Sequence, residues 1–216
     1  MKGLIERIKS CNLCEARFED LVNTKSKPYL EFKVYEDWAP GEIKCLLIGE
    51  SPPGRDVFFY DHRTEGALRR NVFSLLGINK GGYEGLCEFK RRGLLLTDVL
   101  KCRVRKRRRR IPEDVIKSCL GIFKHEIELL ARSRGVGKLV VLGNTALRAL
   151  KMLVFVELEK LSITRDCGRI VKSQGFEIFL CTLPLDRNKR YWGTPQVREA
   201  LKSFLEHGSL MQTYRN

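Results

Sequence analysis

Nowhere in the 216 residues does an apolar run approach the ~20 needed for a helix to cross a bilayer, so no membrane-spanning helix is expected. No secretory leader is legible either. The opening MKGLIERIKSC is short, charged and interrupted, which predicts a soluble cytoplasmic protein. Acidic residues are in deficit, 26 against 41 Lys and Arg, giving a formal net charge of +15 and a pI near 9.6. That balance is unusual for a compact enzyme of small neutral molecules and points to a polyanion, nucleic acid first. A basic, solvated thermophile surface is the plain alternative. Gln and Met are scarce, three of each, while Lys, Arg and Glu abound, a composition that leans towards an archaeal or other thermophile. Internal repeats are lacking, and the one low-complexity stretch is RVRKRRRR (103–110).

What is present suits one monomeric domain over 1–207, followed by a tail, GSLMQTYRN (208–216), with no readable signal. With 43% hydrophobic residues the chain can bury a substantial core. Eight cysteines in a reducing compartment read as free thiols or metal ligands sooner than as a disulfide framework. Four apolar runs read as strands: IKCLLIG (43–49), GLLLTDVL (93–100), KLVVLG (138–143) and FEIFLCTLP (176–184). Each is short, continuous and rich in Leu, Val and Ile, the pattern of parallel strands buried on both faces. Helical patterns alternate with them at 64–78, at 112–133 (which starts with Pro and two acids), at NTALRALKML and at PQVREALKSFLEH. The fold class predicted is α/β, a three-layer α/β/α domain with a four-stranded parallel central sheet.

In such a sheet, ligands bind outside the carboxyl ends of the strands. Those ends carry GESPPGRD (49–56), TDVLKCR (97–103), GNTALRAL (143–150) and TLPLDRN (182–188). The first and third set a glycine beside a helix start, where free backbone N–H groups can hold an anion or a carbonyl oxygen. Taken in order, IKSCNLC, LLIGESPPG, LLLTDVLKCR, PEDVIKSC, KLVVLGNTAL and TLPLDRNKRYW make the chain resemble the family 4-type, iron–sulfur uracil-DNA glycosylases over roughly residues 8–206. The resemblance implies a [4Fe-4S] cluster on Cys11, Cys14, Cys102 and Cys119, the four-thiolate set such a cluster needs. Structural zinc or unligated thiols remain the alternatives. Cys45, Cys87, Cys167 and Cys181 lie in or beside apolar runs and read as small core residues.

The partner implied is DNA, double- or single-stranded, carrying a damaged base. KCRVRKRRRR has eight cationic residues in ten, and Arg105, Lys106, Arg107, Arg108, Arg109 and Arg110 would neutralise phosphates and make binding strongly salt-dependent. A localisation signal or a generic RNA-binding tract is the competing reading. Chemistry on a base in a duplex requires flipping it into a pocket. Phe58, Phe59 and Tyr60 follow the first motif, and one ring would stack on the base unless all three are core. TLPLDRN matches the family's second motif, so Leu183 or Leu185 would wedge into the base stack while Arg187 and Arg190 meet phosphates.

The resemblance makes Glu50 the first candidate for positioning or activating water, with Asp56 the reserve acid, and Gly49 and Ser51 as backbone donors near the base. Three departures bear on activity. Leu183-Pro184 replaces the family's His-Pro, removing a group that would support charge on the leaving base; Arg187 or His62 would have to compensate. Asp98 replaces Asn. An ionised carboxylate only accepts hydrogen bonds, so Asp98 is a protonated base reader, a reader of a base other than uracil, a general base, or a strand-end cap. Ser-Pro-Pro-Gly also carries one residue more than the family's first motif. Three functions follow: a monofunctional DNA N-glycosylase acting on uracil or another deaminated or altered base, a catalytically weakened DNA-binding relative, or an RNA-associated basic protein.

Overall fold

The structure is a computed structural model that describes residues 1–14, 18–53, 57–104 and 110–206. Five strands form its main sheet: β1 (Cys45–Gly49), β2 (Leu94–Asp98), β3 (Lys138–Leu142), β4 (Ile170–Ser173) and β5 (Phe176–Cys181). Their spatial order is β2-β1-β3-β5-β4, with every pair parallel except β4–β5. All residues of β1, β2 and β3 are buried, which requires layers on both faces and accounts for their unbroken apolar character. The register sets Leu46 beside Leu95 and Leu139, so one row of aliphatic side chains runs across the sheet.

The layers are helical: α1 (Lys2–Ser10), α2 (Ala67–Leu75), α3 (Gly82–Arg91), α4 (Glu113–Arg134), α5 (Asn144–Met152) and α6 (Pro195–Glu206). Helix α4 follows Pro112 and has Glu113 and Asp114 in its first turn, where acids favour the positive end of the helix dipole. It stops at Gly135, whose φ of 71° is the left-handed conformation glycine adopts without strain. Val115, Cys119, Phe123, Ile127 and Leu130 form its buried face. Helix α1 buries Leu4 and Ile8, four residues apart, and packs on α4.

The sheet therefore has five strands, not the four expected from apolar runs. The additional strand, β4, is an antiparallel edge with Ile170 and Lys172 exposed and only Ser173 buried, so it presents no apolar run to find. It joins β5 through Gln174 and Gly175, both at positive φ, as a tight hairpin turn demands. Helix α3 was hidden by the glycines of GGYEGLCEFK. Gly85 is required there because a Cβ would lie 2.5 Å from the Phe73 ring and 2.4 Å from the Lys80 carbonyl oxygen. The chain also forms a small ribbon, Val22–Asn23 antiparallel to Arg103–Val104, at the entrance to the Arg-rich stretch. Arg105, Lys106, Arg107, Arg108 and Arg109 themselves, like Asp56 and the tail, lie outside the described residues.

Candidate active site

The chain leaves β1 towards β2 on one side and later enters β3 on the other, so β1 and β3 flank the point where the winding reverses. In open α/β sheets the crevice at that point is the usual ligand site. Glu50 follows β1 directly, and Thr145, in the first turn of α5, follows β3. The Thr145 hydroxyl donates a short hydrogen bond to the Glu50 carboxylate, bridging the reversal point. Gly143 has φ 94°, and a Cβ there would stand 3.3 Å from the Leu183 side chain. That turn thus brings the segment after β5 against the start of α5.

A cleft of about 580 Å³ opens at these three strand ends. Glu50, Thr145, Thr182 and Leu183 line it, together with Arg110, Arg148, Arg187 and Tyr191. The cations differ in freedom. Arg148 donates to the Ile111 carbonyl oxygen at 3.1 Å and lies 3.7 Å from Glu113. Lys151, also on the cleft, spends its ammonium on the Glu159 and Leu161 carbonyl oxygens at 2.8 and 2.9 Å. Arg187 is exposed, and Arg190 is exposed with its guanidinium 4.8 Å from the Tyr191 ring centre. The segment carrying them is braced from within: Asn188 donates to the Leu183 carbonyl oxygen at 2.9 Å, and Trp192 donates to that of half-buried Leu185 at 3.0 Å. Leu183 reaches the cleft; His62 does not, lying instead against the Tyr83 ring.

Asp98 sits one strand over, paired in register with Gly49. Its side chain is buried, and the Tyr29 hydroxyl donates to Oδ2 at 2.9 Å. Oδ1 presses so close to Gly49 that a Cβ there would lie only 2.2 Å away, which explains the glycine. Burial pushes the Asp98 carboxyl up to about 7, against the pull of Lys101 and the Tyr29 hydrogen bond, with Glu50 and Glu126 raising it further. Phe58 and Tyr60 are buried beneath it: Phe58 meets Tyr29 edge-on at 5.3 Å, and Tyr60 donates to the Leu96 carbonyl oxygen at 2.8 Å. Neither ring lines the cleft. Ser51 is half-buried, and its hydroxyl oxygen has no hydrogen-bond partner among the described residues.

A buried polar network anchors the same strand end. Glu126 of α4 is ion-paired with Lys101 and accepts from the Thr97 and Tyr35 hydroxyls, each at 2.7 Å. Lys101 also donates to the Asp98 carbonyl oxygen at 2.6 Å and lies 4.7 Å from the Tyr29 ring centre. Tyr29, Tyr35, Glu126 and Thr145 were not singled out from sequence. Thr145 could have been, as the residue after GN at a strand-to-helix turn; Tyr29 and Tyr35 carry no pattern.

The cysteines of the spacing motif come together from three segments: Cys11 and Cys14 after α1, Cys102 after β2, and Cys119 within α4. Cys14 and Cys119 share a thiol hydrogen bond that lowers Cys14 to about 7 and raises Cys119. Burial pushes Cys102 up to about 12, with Cys11 and Cys14 close enough to raise it further and Lys27 lowering it. Among the described residues, no group of three or more His, Cys, Asp or Glu is arranged to hold a metal ion. Cys119 and Cys102 are each influenced by Cys11 and Cys14, and four thiols are the donor type that an iron–sulfur cluster takes.

The family model for the Uracil DNA glycosylase superfamily matches residues 36–205. No curated protein matches the chain.

Proposed function

Since the chain belongs to the uracil-DNA glycosylase superfamily, we propose that it is a DNA N-glycosylase that hydrolyses the bond between deoxyribose and uracil, or another deaminated base. The observation that supports this most is Glu50 at the winding reversal, held by Thr145 and facing a cleft edged with arginines. In the reaction, water adds to C1′ of the sugar and the C1′–N bond breaks. The bonding electrons leave with the base, and the water proton passes to Glu50. The product is an abasic site. A carboxylate oriented by the Thr145 hydroxyl is suited to place that water. Arg187, and Arg110 across the cleft, would meet the flanking phosphates, and Leu183 or Leu185 would fill the space the base leaves.

Gly49 and Ser51, on either side of Glu50, would supply backbone N–H groups near the base. Asp98, Phe58 and Tyr60 would serve from beneath, by fixing where the end of β1 lies. Cys11, Cys14, Cys102 and Cys119 would hold a [4Fe-4S] cluster whose contribution is structural, tying α1, α4 and the root of the Arg-rich stretch together. Iron and sulfide analysis after oxygen-free purification tests that assignment. The Arg105–Arg110 stretch would add sequence-independent phosphate contacts, and its deletion is expected to flatten the salt dependence of binding.

A second reading, a relative that binds DNA without releasing a base, is favoured by Leu183 in the place of a histidine. One experiment separates the two. Oligonucleotides carrying uracil, hypoxanthine, xanthine or normal bases are incubated with the protein and with Glu50→Ala. Release by the wild type that is lost in the variant supports the glycosylase; tight binding without release supports the second reading, and preference for RNA defeats both.

A further inference from the structure

Cys167 and Cys181 take no part in the site described above, yet the fold sets them against each other. Gly168 N–H donates to the Leu180 carbonyl oxygen at 2.8 Å, and Leu180 N–H donates to that of Arg169 at 3.0 Å. This pairing continues the β4–β5 hairpin one step beyond the strands and brings the flanking residues, Cys167 and Cys181, together. Their thiols are hydrogen-bonded, with Cys181 as donor, and the Thr182 backbone N–H also donates to the Cys167 sulfur. Cys167 is half-buried and Cys181 fully buried. Cys167 is therefore the more exposed of the two and accepts hydrogen bonds, while Cys181 is enclosed.

We propose that Cys167 and Cys181 are a redox-active pair that closes to a disulfide in exchange with a small-molecule disulfide, Cys167 attacking and Cys181 resolving. The Cys167 thiolate attacks one sulfur of the oxidant and expels a thiolate, leaving a mixed disulfide. Cys181 gives its proton to a departing thiolate and attacks the Cys167 sulfur, releasing the second half of the oxidant. Two electrons pass from the pair to the oxidant, which leaves as one thiol and one thiolate. Thiolate character at the attacking sulfur governs the first step. The two hydrogen bonds supply it by lowering Cys167 to about 6, while burial and donation to Cys167 raise Cys181. The adjacent residues Thr182 and Leu183 line the cleft, as do Ser162, Ile163 and Thr164 on the segment before Cys167, so the bond would tie two of the cleft's walls.

The test uses the full chain, purified without oxygen, treated with oxidised glutathione, alkylated and digested with trypsin. Cys167 and Cys181 fall in separate tryptic peptides, 166–169 and 173–187, each with one cysteine. The expected product is those two peptides joined, as the main protein disulfide, formed at least about tenfold faster than any adduct on exposed Cys87. In Cys181→Ser, Cys167 is expected to stop at the glutathione mixed disulfide. In Cys167→Ser, Cys181 is expected to stay unmodified, which keeps the proposal testable should either variant fold poorly. Recovery of both peptides unlinked from folded wild-type protein while Cys87 is modified overturns the proposal. So does a link that forms only after denaturation.

Discussion

Glu50 and Asp98 are acids at the ends of neighbouring strands, Asp98 paired with Gly49, the residue before Glu50, and their surroundings are opposite. Glu50 stands at the winding reversal, hydrogen-bonded to the Thr145 hydroxyl and bordering a cleft edged with arginines. Asp98 is enclosed by Tyr29 and the backbone of Gly49, over a bed of aromatic rings. The same functional group is thereby given two jobs. Beside the cleft, a carboxylate is within reach of whatever the cleft holds. Sealed among rings, it holds a proton near neutrality and fixes the position of the backbone around it. Side-chain identity names a candidate, and the environment decides its role.

The largest effect expected from breaking this contrast is at Glu50. Glu50→Gln should lower single-turnover base release by roughly 10²–10⁴, the usual loss on removing a positioned acid–base group, with the far-ultraviolet spectrum unchanged. Stability dominates on the Asp98 side. Glu126→Ala leaves Lys101 buried without its partner and should cost about 3–5 kcal/mol in urea denaturation. Asp98 itself should show in the pH dependence of stability. Its carboxyl is raised on folding, so its contribution is full below about pH 4 and is lost as pH rises through about 7. The loss is on the order of 4 kcal/mol, and Asp98→Asn should abolish that part of the slope between pH 4 and 8. Tyr29→Phe removes only the hydroxyl bonded to Asp98 and should cost about 1.5–3 kcal/mol at neutral pH, with less effect at pH 4 where the carboxyl is protonated.

Much of the fold was legible because buried parallel strands have to be apolar without interruption, and 43–49, 93–100, 138–143 and 176–184 all contain strands. Helix α4 carried its own start signal in Pro112, Glu113 and Asp114. The edge strand β4 was not legible, since a strand that is solvated on one side needs no apolar run, and neither was α3 with its two glycines. At the site, Glu50 could be named as a strand-end acid because its motif is local in sequence. The enclosure of Asp98 could not, because Tyr29 lies 69 residues away and meets it only through the tertiary fold. Long-range partners leave no periodic trace in a single chain.

The most direct test of the central claim compares two variants on one uracil-containing duplex, in single-turnover base release under a fixed salt concentration. If the chemistry belongs to the crevice between β1 and β3, Glu50→Gln should lose at least about a hundredfold while Asp98→Asn stays within about tenfold of wild type. The reverse order, or equal losses in both, would move the reaction centre to the end of β2 and contradict the account.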